Sequence, residues 1–198
     1  MEEKIKMIPL ENLVNNLKTG LSFSYYAKKD ESTEGEEVPF INTKSIKRGT
    51  VDFQSLDTIK VEETKIRGKE KVSTNDLLIT IRGSTFKAAV AGSNINGLLF
   101  SSNLIALELN KEVAPEVIAA YLNSPRGQIE LESRSGGLTI KGLSTKKILE
   151  ISVPVLPKEI QQRFASYITF ANEQNNILKE MISLREQTTD AILENMLG

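Results

Sequence analysis

The stretch from Lys158 to the carboxyl end constrains this chain more than any other. No proline or internal glycine interrupts it, and Ile160, Phe164, Ile168, Ala171, Leu178, Ile182 and Ile192 recur by threes and fours or their sums, tracing one helical face. A continuous helix rising 1.5 Å per residue reaches about 60 Å here, roughly twice the width of a small domain. Such a helix cannot bury its whole apolar stripe on its own domain, so the remainder must meet another helix. Gln174 and Asn175 lie within the stripe, and polar residues in such a seam fix the register of a helix pair. The competing arrangement breaks near "ANEQNN" and folds back as a hairpin. With no glycine or proline to make that turn, the continuous helix is favoured.

Composition narrows the chemistry of the rest. A chain of 198 residues, 39% hydrophobic, can bury a real core, and its length suits one domain with an appendage. It contains no cysteine and no histidine. Disulfides, thiolate metal sites, Ser-His and Cys-His pairs and the usual zinc centres are thereby excluded, and no metal or cofactor is expected. The opening "MEEKIKMIPLENL" lacks the apolar core of a signal peptide, and no run approaches a membrane span. The expectation is a soluble, cytoplasmic protein. Formal net charge is -1, yet residues 39 to 107 hold ten Lys/Arg against six Asp/Glu, and residues 126 to 147 hold five against two. These local excesses permit a basic face.

Local patterns predict a mixed α/β (α+β) body. "IPLENLVNNLKTG" reads as a short strand and then a helical turn ending at Gly20, and Lys28 to Glu37 as a loop. "VPFINTKSI", "TVDFQSLDTI" and "LLFSSNLIALEL" read as strands. Asp76 to Arg82 alternates, with Leu77, Ile79 and Ile81 opposed to Leu78, Thr80 and Arg82; Phe86, Ala88 and Val90 likewise oppose Lys87, Ala89 and Ala91. A helix should start at Pro115, Ser124-Pro125 should open a second, and Ser144 should cap the turn "TKKIL". "EISVPVLP" reads as a strand whose prolines require an edge.

The segment between the alternating strands, within "TIRGSTFKAAV", concentrates the candidate chemistry. A phosphate loop fails: Gly92 and Gly97 have the right spacing, but Leu98 and Leu99 stand where lysine and a hydroxyl are needed. A magnesium nuclease would need clustered carboxylates, and Glu63 to Lys65 with Asp52 and Asp57 reads instead as solvated loop. No glycine-rich cofactor loop of a methyltransferase is present. A hydrolase using Ser84 or Thr85 with Lys87 lacks anything that would activate the lysine. What remains is binding. Arg82 offers a fork of donors, Ser84 and Thr85 short hydroxyls and Lys87 a point charge, all suited to a sugar-phosphate backbone or a guanine edge. Taken alone, the stretch is equally a solvated hairpin. "INTKSIKRGT" and "GGLTIKGLS" repeat its mixture of lysine, hydroxyl and turn glycine.

In order along the chain, "IPLENLVNNLKTG", "VPFINTKSIKRGTVDF", "VSTNDLLITIRGSTFKAAV" and "PEVIAAYLNSPRGQIELESRSGGLTIKGLSTKKILEISVPVLPKEIQQRF", followed by the terminal helix, span nearly the whole sequence. So arranged, the chain resembles the specificity subunit of type I restriction-modification systems, with one target recognition domain and one spacer helix. The resemblance implies a non-catalytic reader of double-stranded DNA that directs a methylation subunit and, through it, a restriction subunit. Full subunits of that family carry two recognition domains joined by two long antiparallel helices; this chain has one of each, as either a half-subunit that pairs with its own copy or a fragment of a longer protein. The expectations are therefore a DNA target recognition domain over residues 1–157 and a spacer helix over 158–198. The helix would homodimerise through Phe164, Ile168, Ala171, Asn175, Leu178, Ile182 and Ile192. Two readers at fixed separation imply an interrupted palindrome. Arg82, Ser84, Thr85 and Lys87 lead the expected DNA contacts, with Lys44, Lys47, Arg48 and Lys141 next and Arg67 and Lys69 last. The alternatives are a decoy that occupies a methylation subunit without reading DNA and a small enzyme built on Ser84 and Lys87.

Overall fold

The computed structural model describes residues 5–22, 36–61, 70–136 and 141–197. Arg67, Lys69, the Glu63 to Lys65 triplet and most of the Lys28 to Glu37 loop lie outside these residues.

Alternating side chains make one sheet serve two cores. The central sheet is antiparallel, in the order β2 (Val14–Thr19), β9 (Leu104–Leu109), β5 (Leu77–Thr80) and β7 (Ala88–Val90). From one face Leu77, Ile79, Ala88, Ile105 and Leu107 pack with Phe86 against Ile118, Leu122, Leu131 and Ile148 of three helices. From the other, Leu78, Ala89, Leu104 and Ala106 pack against Ile41, Ile46, Val72, Ile95 and Phe100. Full burial of each large side chain contributes about 1.5–3 kcal/mol, so a strand apolar on both faces belongs at the centre. The helices are α1 (Pro115–Asn123), α2 (Pro125–Arg134) and α3 (Thr145–Leu149). Their predicted starts hold: Pro115 opens α1, the Ser124 hydroxyl accepts from the Gly127 amide, and the Ser144 hydroxyl accepts from Lys147.

A second sheet joins β4 (Asp57–Val61), β3 (Glu36–Ile41) and β8 (Leu99–Phe100). Two ribbons complete the body. In one, β1 (Lys6–Pro9) pairs with β11 (Ser152–Val155), placing Pro154 where no further strand needs its missing amide. In the other, β6 (Arg82–Gly83) pairs with β10 (Lys141–Gly142).

Three expectations are corrected. Val14–Thr19 is a strand paired with β9, and only Leu10–Leu13 makes a helical turn. Leu98 to Leu109 is two strands separated by a turn at Ser102 and Asn103. The strands in "VPFINTKSI" and "TVDFQSLDTI" are confined to their outer ends, leaving residues 42–56 as turns with an isolated Ile46–Val51 bridge and a 3-10 turn at Phe53–Ser55.

Helix α4 (Lys158–Leu197) runs unbroken for 40 residues. Among its described residues the sole buried side chain is Gln161, a polar one. Its carboxamide accepts from the Ala114 amide at 2.6 Å and donates to the Leu156 and Glu112 carbonyls at 2.7 and 2.8 Å. The bonds to Ala114 and Glu112 tie the first turn of α4 to the entry of α1, against which α4 packs, and the bond to Leu156 closes the approach to α4 itself.

Candidate nucleic-acid interface

The three basic stretches, distant in sequence, are stitched together by backbone hydrogen bonds around β7 and β6. Thr80 closes the central loop: its amide donates to the Lys87 carbonyl at 2.9 Å, and its hydroxyl accepts from the Lys87 amide at 2.7 Å. On one side the turn carrying Lys47, Arg48 and Gly49 docks on β7. The Gly49 amide donates to the Ala88 carbonyl at 2.9 Å, and the Val90 amide donates to the Gly49 carbonyl at 3.1 Å. On the other side β10 brings the backbone of Lys141 opposite Gly83 and that of Gly142 opposite Arg82, while the Leu143 amide donates to the Ile81 carbonyl at 2.9 Å. Two glycines permit this: Gly49 at φ 92 and Gly83 at φ 148 occupy backbone conformations that a side chain strains.

The cations of these loops differ in what they already hold. Arg82, Ser84 and Thr85 are exposed and Lys87 half-buried. Among the described residues none of these four side chains has a hydrogen-bond or ion-pair partner. Lys44 is paired with Asp57, and Lys47 lies 3.6 Å from the Asp52 carboxylate while donating to the Lys44 carbonyl at 3.0 Å. Such exposed pairs contribute at most about 1 kcal/mol and yield readily to a competing phosphate. Arg48 donates to the Asn123 carbonyl at 2.5 Å, which among the described residues leaves most of its five N–H donors uncommitted. Asp52 accepts from the Ser55 hydroxyl at 2.6 Å, and chiefly that bond, with Lys47 nearby, holds its carboxyl below the usual range. The arrangement offers donors and positive charge around a hydrogen-bonded turn, and among the described residues it contains no assembled nucleophile and base. Among the described residues no group of His, Cys, Asp and Glu could hold a metal ion.

The predicted dimerisation residues fall into a heptad frame on α4. Phe164, Ala171, Leu178 and Ile192 stand at multiples of seven, as do Ile168, Asn175 and Ile182, with Arg185 and Thr189 filling the frame where it turns polar. Near the body Ile168 and Ala171 are half-buried, and Ile168 lines a cleft with Arg48, Gly49 and Asn123. Farther along, Leu178, Ile182 and Ile192 are each more than half exposed. One stripe thus begins against the chain's own body and continues past it.

Sequence reasoning did not single out Asn123 or the Lys18–Asp76 pair. Asn123 ends α1, is buried, and bonds both backbone groups of Ala88. Nothing in "YLNSP" distinguishes it from a solvated helix end. Lys18 and Asp76 meet at 2.7 Å inside the body, 58 residues apart, which no local pattern reveals.

A family model described as the type I restriction modification DNA specificity domain matches residues 3–184. The specificity subunit of the type I restriction enzyme EcoKI from Escherichia coli K12 is 26% identical over 195 residues, covering 91% of this chain and 40% of that protein. The EcoBI specificity subunit from Escherichia coli is 24% identical over 185 residues, with coverages of 89% and 38%. The chain therefore spans about two fifths of the length of these relatives. Among solved structures, the type I restriction-modification S subunit from M. genitalium aligns with a TM-score of 0.63 at 18% identity, covering 93% of this chain and 43% of that one. The HsdS subunit from Thermoanaerobacter tengcongensis aligns at 0.57 and 17% identity, with coverages of 91% and 40%. At these identities the likeness is one of fold. Among the described residues no helix is long and apolar enough to cross a membrane.

Proposed function

Because the chain belongs to the family of type I restriction modification DNA specificity domains, we propose that it is a non-catalytic reader of double-stranded DNA that directs a methylation subunit and, through it, a restriction subunit. The observation that carries this reading is the stitching of three basic stretches into one surface, with Arg82 and Lys87 left without partners among the described residues. A cation carried on a hydrogen-bonded backbone, with no side-chain partner among the described residues, is suited to phosphate or to a guanine edge, because no internal partner has to be given up first.

Two copies paired through α4 would supply the two recognition domains that the family resemblance leads one to expect in a full subunit. The exposed continuation of the heptad stripe supports this arrangement, since an identical helix covers it with the same residues. Residues 1–157 then act as the reading body and residues 158–198 as the spacer, its outer face free for the methylation partner. With net charge near neutral, affinity comes from local cations and should fall steeply with salt.

Selection from a randomised duplex pool by the full chain, together with its methylation subunit, tests the proposal. Enrichment of an interrupted palindrome is expected. A stable complex with the methylation subunit that enriches no sequence would favour a decoy in place of a reader.

A further inference from the structure

The outer edge of β7 is closed by an unusual pair of groups. β7 ends the central sheet, and its neighbour β5 bonds to it through Thr80 and Lys87, so Ala88 and Val90 turn their amides away from the sheet. An open edge of this kind leaves donors and acceptors unsatisfied. Here the Gly49 peptide takes part of it. The rest goes to Asn123, whose carboxamide behaves as a second peptide: its oxygen accepts from the Ala88 amide at 3.0 Å and its nitrogen donates to the Ala88 carbonyl at 2.7 Å. The backbone carbonyl of the same residue holds the Arg48 guanidinium at 2.5 Å. Asn123 therefore meets both basic loops at once, one residue past Lys87 and one residue before Gly49.

We propose that Asn123 is a positioning residue that fixes the Lys47-Arg48 turn and the Arg82–Lys87 loop relative to each other, and so sets the sequence discrimination of the interface without touching DNA. The inference rests on the reading of the chain as a DNA reader. Its physical basis is asymmetric satisfaction. If the carboxamide is removed, the Ala88 carbonyl keeps Gly49, but the buried Ala88 amide loses the acceptor it has on this edge. The strand end that carries Lys87 is then free to shift. The anchor itself is firm, because α1 packs on α4 and because the corner after Asn123 is tight: a Cβ at Gly127 would lie 2.1 Å from the Tyr121 carbonyl oxygen. Asn172 of α4 also reaches the site, its amide nitrogen 3.6 Å from where a Cβ on Gly49 would stand.

The test uses the full chain with Asn123→Ala and the isosteric Asn123→Asp, which keeps the acceptor for Ala88 and loses the donor. The probes are a duplex recovered by selection, its single-base-pair variants and an unrelated duplex of equal length. In Asn123→Ala, preference for the selected duplex over its variants should fall about tenfold, the scale of one lost base-pair discrimination. Affinity for the unrelated duplex at low salt, and the slope of affinity with salt, should stay unchanged because every cation remains. Asn123→Asp should fall between wild type and Asn123→Ala, and it serves as the readout if the alanine variant does not fold. Amide hydrogen exchange gives a measure independent of DNA, with loss of protection expected at Ala88 in Asn123→Ala and protection largely kept in Asn123→Asp, which retains the acceptor. Unchanged discrimination in a folded variant, or unchanged Ala88 protection in Asn123→Ala, overturns the proposal. Wild-type protein that discriminates no duplex overturns instead the DNA-reading role, while the exchange result still decides whether Asn123 holds the joint.

Discussion

The body and the long helix bury opposite things. Between Leu10 and Val153 the chain packs leucine, isoleucine and phenylalanine on both faces of its central sheet. Along α4, among the described residues, the one buried side chain is a glutamine, and Leu178, Ile182 and Ile192 are each more than half exposed. The body thus carries its own stability, whereas the helix carries a surface still to be covered. An exposed apolar stripe of that length is the feature on which the proposed pairing through α4 rests.

Substitutions separate the two regions sharply. The largest effect is expected at Asp76, whose carboxylate accepts from Lys18 and from the Ser73 amide, each at 2.7 Å, while 1% exposed. Asp76→Ala strands the buried Lys18 ammonium and should cost about 3–5 kcal/mol in urea unfolding. A loss under about 1 kcal/mol would mean that Lys18 escapes to solvent and that the body is looser than its packing implies.

On the helix the expectation is reversed. Leu178→Glu with Ile182→Glu should leave unfolding of the body within about 0.5 kcal/mol of wild type, because both positions are already exposed. The same change should halve the mass measured by light scattering. A wild-type protein that is monomeric at micromolar concentration would remove the paired-helix arrangement altogether.

The smallest effect concerns Asp52, in the turn that supports Lys47. The Ser55 hydroxyl, and after it Lys47, lower its folded pKa, so the unfolded chain holds a proton there more tightly than the folded one. Its contribution is complete above the unfolded carboxylate value near about pH 4 and disappears as pH falls through the lower folded value. Asp52→Asn should flatten acid unfolding in that window by less than about 1 kcal/mol, since the group is partly in solvent. A larger effect would show that the turn is held more tightly than its exposure suggests.

What could be read from the sequence follows from which forces are local. Alternation at Leu77 to Arg82 and Phe86 to Ala91 was legible because period-two patterning has no other economical solution, and the two core clusters divide along it. Pro115, Ser124 and Ser144 were legible because caps act within one turn. The absence of proline and of internal glycine after Lys158 made the helix readable. Val14–Thr19 was misread because Leu10, Leu13 and Leu17 also fit helical spacing; pairing with β9 overrides that local preference. The break at Ser102-Asn103 was hidden by a run apolar on both sides of it. For the interface, the three basic stretches were visible, but their meeting across β7 and β6 is tertiary. Asn123 was invisible for the same reason, because its role lies wholly in the distant Ala88 and Arg48.

The central claim, that the Arg82–Lys87 loop reads DNA, is tested most directly by titrating a fluorescent selected duplex with the full chain and its methylation subunit across a range of salt. Arg82→Ala and Lys87→Ala are compared with wild type. The account predicts weaker binding in both, by about 1–3 kcal/mol with lost base preference if the side chain touches a base edge, or with a salt slope reduced by about one if it touches phosphate. Wild-type affinity, base preference and salt slope in both variants would contradict it.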